Sequence, residues 1–112
     1  MTNVKEIGEE IAKAINDLHN PNIEYAMLDD FSDYSGRIFV GLKMEKVVGK
    51  YWFENHARPL RQISLQLHGI CKKMEREGKA TCGSWDVPQP TYDSYGGYDG
   101  YEKDAISFDY DI

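Results

Sequence analysis

The stretch LRQISLQLHGICKKM, running from Leu60 to Met74, decides the fold of this 112-residue chain. Leu60, Ile63, Leu67, Ile70 and Met74 recur at alternating steps of three and four, which puts them on one stripe of an α-helix. Ser64 and Cys71 widen that stripe. Arg61, Gln62, Gln66, Lys72, Lys73, Glu75 and Arg76 fall on the other side. Pro59 suits the first turn, where its missing N–H would lack a partner anyway. Gly78, just past a basic last turn, suits the stop.

Working outward, Thr2 to about Leu18 reads as a second amphipathic helix, with Val4, Ile7, Ile11, Ala14, Ile15 and Leu18 on its apolar side. Asn3 followed by Glu6 resembles a capping box, and acids in the first turn suit the helix dipole. Asn20, Pro21 and Asn22 end it. Ile23 to Leu28 reads as a strand with Ile23, Tyr25 and Met27 on one face, and Asp29 to Gly36 as a polar loop. From Arg37 to Met44, Ile38, Val40, Leu42 and Met44 alternate with Arg37, Phe39, Gly41 and Lys43, the period of a half-buried strand. Val47 to Phe53 is a third apolar run. Past the central helix, Ala80 to Val87 reads as a strand stopped by Pro88 and Pro90. Asp104 to Ile112 reads as the last strand, with Ile106, Phe108, Tyr110 and Ile112 inward and Ser107, Asp109 and Asp111 outward. So apolar a chain end is expected to be tied into the sheet.

The order α-β-β-(β)-α-β-β, with short links between strands, predicts a two-layer α+β sandwich: an antiparallel sheet of 4–5 strands with both helices on one face. The length suits one α+β domain over residues 1–112, carrying an acidic Tyr/Gly-rich loop at about 88–103. The hydrophobic share of 41% and charged share of 29% are those of a water-soluble globular chain. No run approaches the roughly 18–20 apolar residues that span a membrane. Glu6, Glu9 and Glu10 interrupt any secretory leader, so a cytoplasmic protein is expected, in the host cytoplasm if viral. Cys71 and Cys82 do not make a disulfide framework and are expected to be reduced.

Charge is the informative compositional fact. The formal net charge is −6, and residues 80–112 hold seven of the 19 acids but only one of the 13 bases, Lys103. That third alone carries −6, and the first 79 residues balance at 12 acids and 12 bases. Such an end repels duplex DNA and anionic membranes.

Motifs for chemistry are sparse. His19, His56 and His68 lack metal-ligand spacing, and the clusters Asp99, Glu102, Asp104 and Asp29, Asp30, Asp33 miss the EF-hand pattern. No metal site and no cofactor are expected. Ser64 and Ser84 sit in no nucleophile elbow, and Gly96 and Gly97 open no phosphate-binding helix, so a non-enzymatic protein is expected. Lys43, Lys46, Lys50, Arg58 and Arg61 surround Tyr51, Trp52 and Phe53, a composition that single-strand-binding surfaces use. The plainer alternative makes those aromatics core and the lysines a solvated sheet edge.

The remaining constellation is Tyr92, Asp93, Tyr95, Tyr98, Asp99, Tyr101, Glu102 and Asp104, joined by Asp109 and Asp111 on the outer face of the last strand. Tyrosine offers large contact area at low entropic cost, and spaced carboxylates imitate phosphates to a basic partner. The expectation is a small acidic protein that binds and inhibits a basic, nucleic-acid-handling host protein through this region. In size, acidity and lack of catalytic motifs it resembles in type the phage-borne inhibitors of host defence, the anti-CRISPR and anti-restriction proteins. The alternative is a single-stranded nucleic-acid-binding protein using Lys46, Lys50, Tyr51, Trp52, Arg58 and Arg61; a third reading is a small ligand-binding domain or enzyme.

Overall fold

A computed structural model describes residues 3–43, 57–101 and 103–112. Asn3 starts the first helix, α1 (Val4–Asn16). Its side chain accepts the Glu6 backbone N–H at 2.8 Å, satisfying one of the donors a helix start leaves without a partner. The buried stripe is Val4, Ile7, Gly8, Ile11, Ala12 and Ile15, so it leans through Gly8 and Ala12, and Ala14 is only half-buried. The second helix, α2 (Ala57–Arg76), buries Leu60, Ile63, Leu67, Cys71 and Met74, as the spacing predicts. It ends in a Schellman turn: Gly78 at φ 69°, with its N–H on the Glu75 carbonyl at 3.0 Å and that of Lys79 on the Met74 carbonyl at 2.9 Å. Only glycine adopts that φ without Cβ strain.

Four strands form one antiparallel sheet: β1 (Ile23–Phe31), β2 (Ser35–Leu42), β3 (Thr81–Asp86) and β6 (Ala105–Asp111), in the order β1-β2-β6-β3. A separate hairpin, β4 (Pro90–Tyr92) with β5 (Tyr98–Tyr101), is inserted between β3 and β6. Because β6 lies between β2 and β3 and is antiparallel to both, those two run parallel, and α2 makes the crossover that parallel strands require. α1 packs on β1 and β2, and α2 packs on β3 and α1. This is the expected α+β sandwich. The apolar run Val47–Phe53 and residue Met44 lie outside the described residues.

Two bulges alter which residues face the core. The polar loop expected from Asp29 is shorter than predicted, since β1 runs on to Phe31 and β2 starts at Ser35. Within β1 the register jumps between Ile23 and Tyr25. That extra residue turns Ala26 and Leu28 inward, opposite Val40 and Ile38, and leaves Tyr25 and Met27 exposed at 44% and 43%. The expectation that Tyr25 and Met27 share a face with Ile23 is thereby corrected: one inserted residue inverts a period-two pattern. Asn16 supports this arrangement, donating to the Ala26 carbonyl at 3.0 Å and accepting its N–H at 2.8 Å. Those are outward-facing groups of an edge strand, so the side chain blocks pairing there.

The second bulge lies in β3 between Gly83 and Asp86, with Ser84 at φ 53°. It swings Trp85 inward to stack on Phe108, ring centroids 4.3 Å apart, and Asp86 outward. On β6, Ile106, Phe108 and Tyr110 are fully buried, as predicted. Ile112 is not inward: it sits past the strand end and is half exposed.

Tyr110 joins the layers. Its hydroxyl donates to the Val4 carbonyl at 2.5 Å and lies where a Cβ on Gly8 would have to go, and its ring lies where a Cβ on Gly36 would have to go. Loss of solvent pushes its pKa up to about 12, against the opposing Gly8 backbone N–H. An alanine at Gly36 would collide with the ring, and such overpacking costs about 1–3 kcal/mol. Gly36→Ala should lower the urea midpoint accordingly at unchanged m-value. A tyrosine with a raised pKa holds its full stabilisation below about pH 10 and loses it as pH climbs toward 12, since the unfolded chain ionises first. Tyr110→Phe should cost about 0.5–1.5 kcal/mol near neutrality, and the gap from wild type should narrow in urea melts across that alkaline window.

Candidate docking hairpin

The sequence places four tyrosines at a spacing of three between Thr91 and Lys103. Folded, that spacing becomes a hairpin: Tyr92 pairs with Tyr98, and Pro90 with Tyr101. The connection uses the turn chemistry of Asp93, Ser94, Tyr95 and Gly96. The Gly96 N–H donates to the Asp93 carbonyl at 3.0 Å, and the Asp93 N–H to the Gly97 carbonyl at 2.8 Å. Gly96 at φ 81° completes a type I turn with a bulge, the usual three-residue hairpin loop. The Asp93 carboxylate locks it, Oδ1 accepting the Tyr95 N–H at 2.9 Å and the Gly97 N–H at 2.8 Å.

The result is a rigid tip with one aromatic ring on it. Tyr95 is 97% exposed and Tyr92 53%, and no described side chain from Gln89 to Asp104 belongs to the buried core. At the hairpin base, Lys103 Nζ donates to both Asp86 oxygens at 2.6 Å, tying the exit of the hairpin to the end of β3. The whole element is thus fastened at its foot and presented at its tip.

The predicted contact residues separate into two groups. Tyr92, Asp93 and Tyr95 lie in β4 and the turn, Tyr98, Asp99 and Tyr101 lie along β5, and Asp104 is exposed before β6. Glu102 lies outside the described residues. Asp109 and Asp111 belong elsewhere. Asp111 pairs with Ser35 and Thr81 at the far end of β6, roughly 20 Å along the strand from where the hairpin joins. Asp109 accepts a hydrogen bond from Arg37 Nε at 3.1 Å on the open sheet face. That bond, then the charges of Asp109, Asp29 and Asp30, hold the Arg37 guanidinium above its ordinary range. An exposed pair of this kind adds little stability, but it cancels one of the negative charges.

Of the alternative nucleic-acid surface, Lys46, Lys50, Tyr51 and Trp52 lie outside the described residues, Arg58 is in the first turn of α2, and Arg61 is exposed there. His68 sits on the same helix with its ring 4.2 Å from that of Trp85. Among the described residues no group of three or more His, Cys, Asp or Glu could hold a metal ion, and no helix is long and apolar enough to cross a membrane. Strand alternation alone does not reveal that exposed Tyr25 and Met27 join half-buried Phe39 on the open face, where the Tyr25 and Phe39 rings are 5.7 Å apart. The signal for it is the outward position of Phe39, opposite Met27 in the register.

The lock on the turn is testable. Asp93→Asn keeps an oxygen acceptor and should leave amide hydrogen exchange at Tyr95 and Gly97 slow, whereas Asp93→Ala should accelerate both, at a local cost of about 1–2 kcal/mol. In comparisons with known proteins, the chain matches no family model, no curated protein and no solved structure.

Proposed function

We propose that this protein is a small non-enzymatic inhibitor that binds a basic, nucleic-acid-handling protein with its acidic, tyrosine-bearing hairpin. The observation that carries this reading is the pre-ordered turn, which holds Tyr95 almost fully in solvent beside the carboxylate of Asp93. A large apolar ring left in water is costly for solubility alone, and an ordered one loses little entropy on contact. The carboxylates on and beside the hairpin, Asp93, Asp99 and Asp104, select a positively charged partner and speed encounter with it. A protein whose groove binds nucleic acid offers that charge, and a hairpin seated there would exclude the nucleic acid. Action in the cytoplasm against a defence nuclease, as by anti-CRISPR or anti-restriction inhibitors, is the setting that suits this mode of inhibition.

The test uses the full chain immobilised against a bacterial lysate. A basic nucleic-acid-binding protein should be retained at low salt, released as salt rises, and displaced by duplex DNA. Tyr95→Ala should weaken retention by about 2 kcal/mol, the size of an interface hot spot. The triple change Asp99→Asn, Glu102→Gln, Asp104→Asn should abolish it while circular dichroism stays unchanged. Retention indifferent to both variants would reject the proposal, and a shift of labelled single strands in a gel would favour the surface around Tyr51.

A further inference from the structure

Cys71 and Cys82 are eleven residues apart in sequence, and the fold sets them face to face. Cys71 is on the buried stripe of α2, 6% exposed. Cys82 is on β3, paired in register with Tyr110, and so points to the same interior. The Schellman turn at Gly78 reverses the chain between them, and α2 packs directly on β3. Both thiols are free, both pack into the one core between helix and sheet, and each shifts the ionisation of the other.

We infer that Cys71 and Cys82 form a redox-active dithiol that closes to an intramolecular disulfide when it meets a small-molecule disulfide such as oxidised glutathione. The two have unequal roles. Cys82 is half-buried and so reachable, and the hydrogen bond from Cys71 lowers its pKa, against burial and the Glu75 carboxylate. Cys71 is the more buried, and its bond to Cys82, followed by burial, drives its pKa far up. Because Cys82 is the thiol a reagent can reach and Cys71 is buried behind it, Cys82 is the attacking thiolate and Cys71 the resolving group.

The exchange balances without a further reactant. The Cys82 thiolate attacks one glutathione sulfur, forming a mixed disulfide and expelling a glutathione thiolate, which takes up a proton. Cys71 then gives its proton to solvent and attacks the Cys82 sulfur. The bond between Cys82 and glutathione breaks, and the second glutathione leaves as thiolate. The protein has lost two protons and two electrons, and one oxidised glutathione has become two reduced ones. Closure brings the sulfurs to about 2.05 Å. The product clamps α2 to β3, the strand that leads into the hairpin, but the inference is independent of what the hairpin binds.

The experiment incubates the folded, reduced full chain with excess oxidised glutathione. Thiol titration after denaturation should show both thiols lost together, intact mass should fall by two hydrogens with no glutathione retained, and dithiothreitol should restore the starting form. The oxidised form should melt higher than the reduced one. Cys71→Ala should instead stall with one glutathione on Cys82, and Cys82→Ala should leave Cys71 unmodified. Two free thiols after treatment, a glutathione adduct persisting on the wild type, or a covalent dimer on a non-reducing gel would each overturn the inference.

Discussion

The structure depends on one ring. Tyr110 comes from the strand that completes the sheet, lies across Gly36 of β2, abuts Gly8 of α1, and donates its hydroxyl to the Val4 carbonyl. The two glycines are small because the tyrosine is large, and the hydroxyl needs a buried acceptor because it has lost its water. Since β6 lies between β2 and β3, the sheet has no continuous centre until residues 105–111 arrive. Both halves of the chain therefore wait on its last segment, and non-local closure of that kind makes folding slower than local contacts would.

Around that centre, two inserted residues set the surface. In β1 the bulge beside Glu24 turns Ala26 inward and Tyr25 and Met27 outward; in β3 the bulge at Ser84 does the reverse for Trp85. Packing explains both. The space under α1 at Ala26 suits a small residue, which is 7% exposed. The space between Phe108 and His68 is filled by the Trp85 ring at 4.3 and 4.2 Å. A serine in the left-handed region costs about 1–2 kcal/mol, a cost that the apolar area of the partly buried Trp85 ring offsets.

The hairpin obeys a different economy. It contributes no described side chain to the core, and its order comes from backbone pairing, the Asp93 carboxylate and the Lys103 link to Asp86. The ring of Tyr95 at its tip thus lies almost wholly outside the packed interior. The acids of the C-terminal third do not act as one surface. Those near the hairpin add to a local negative potential, while Asp109 is matched by Arg37 and Asp111 lies at the opposite end of β6.

By itself the sequence determined both helices, the strands that alternate cleanly, the antiparallel α+β class and the negative C-terminal third. Those features depend on local periodicity, caps and composition, which are properties of neighbours along the chain. The hairpin of β4 and β5 stands where the sequence reads as a loop, because the three-residue tyrosine repeat has no strand period and conceals its strands. Only the tertiary structure decided where the bulges fall, which aspartates share a surface, that Cys71 meets Cys82, and that Tyr110 holds α1 to the sheet. Each of these is a contact between segments far apart in sequence, chosen by the volume and hydrogen-bonding groups that the opposing element presents, and no window along the chain contains both sides of it.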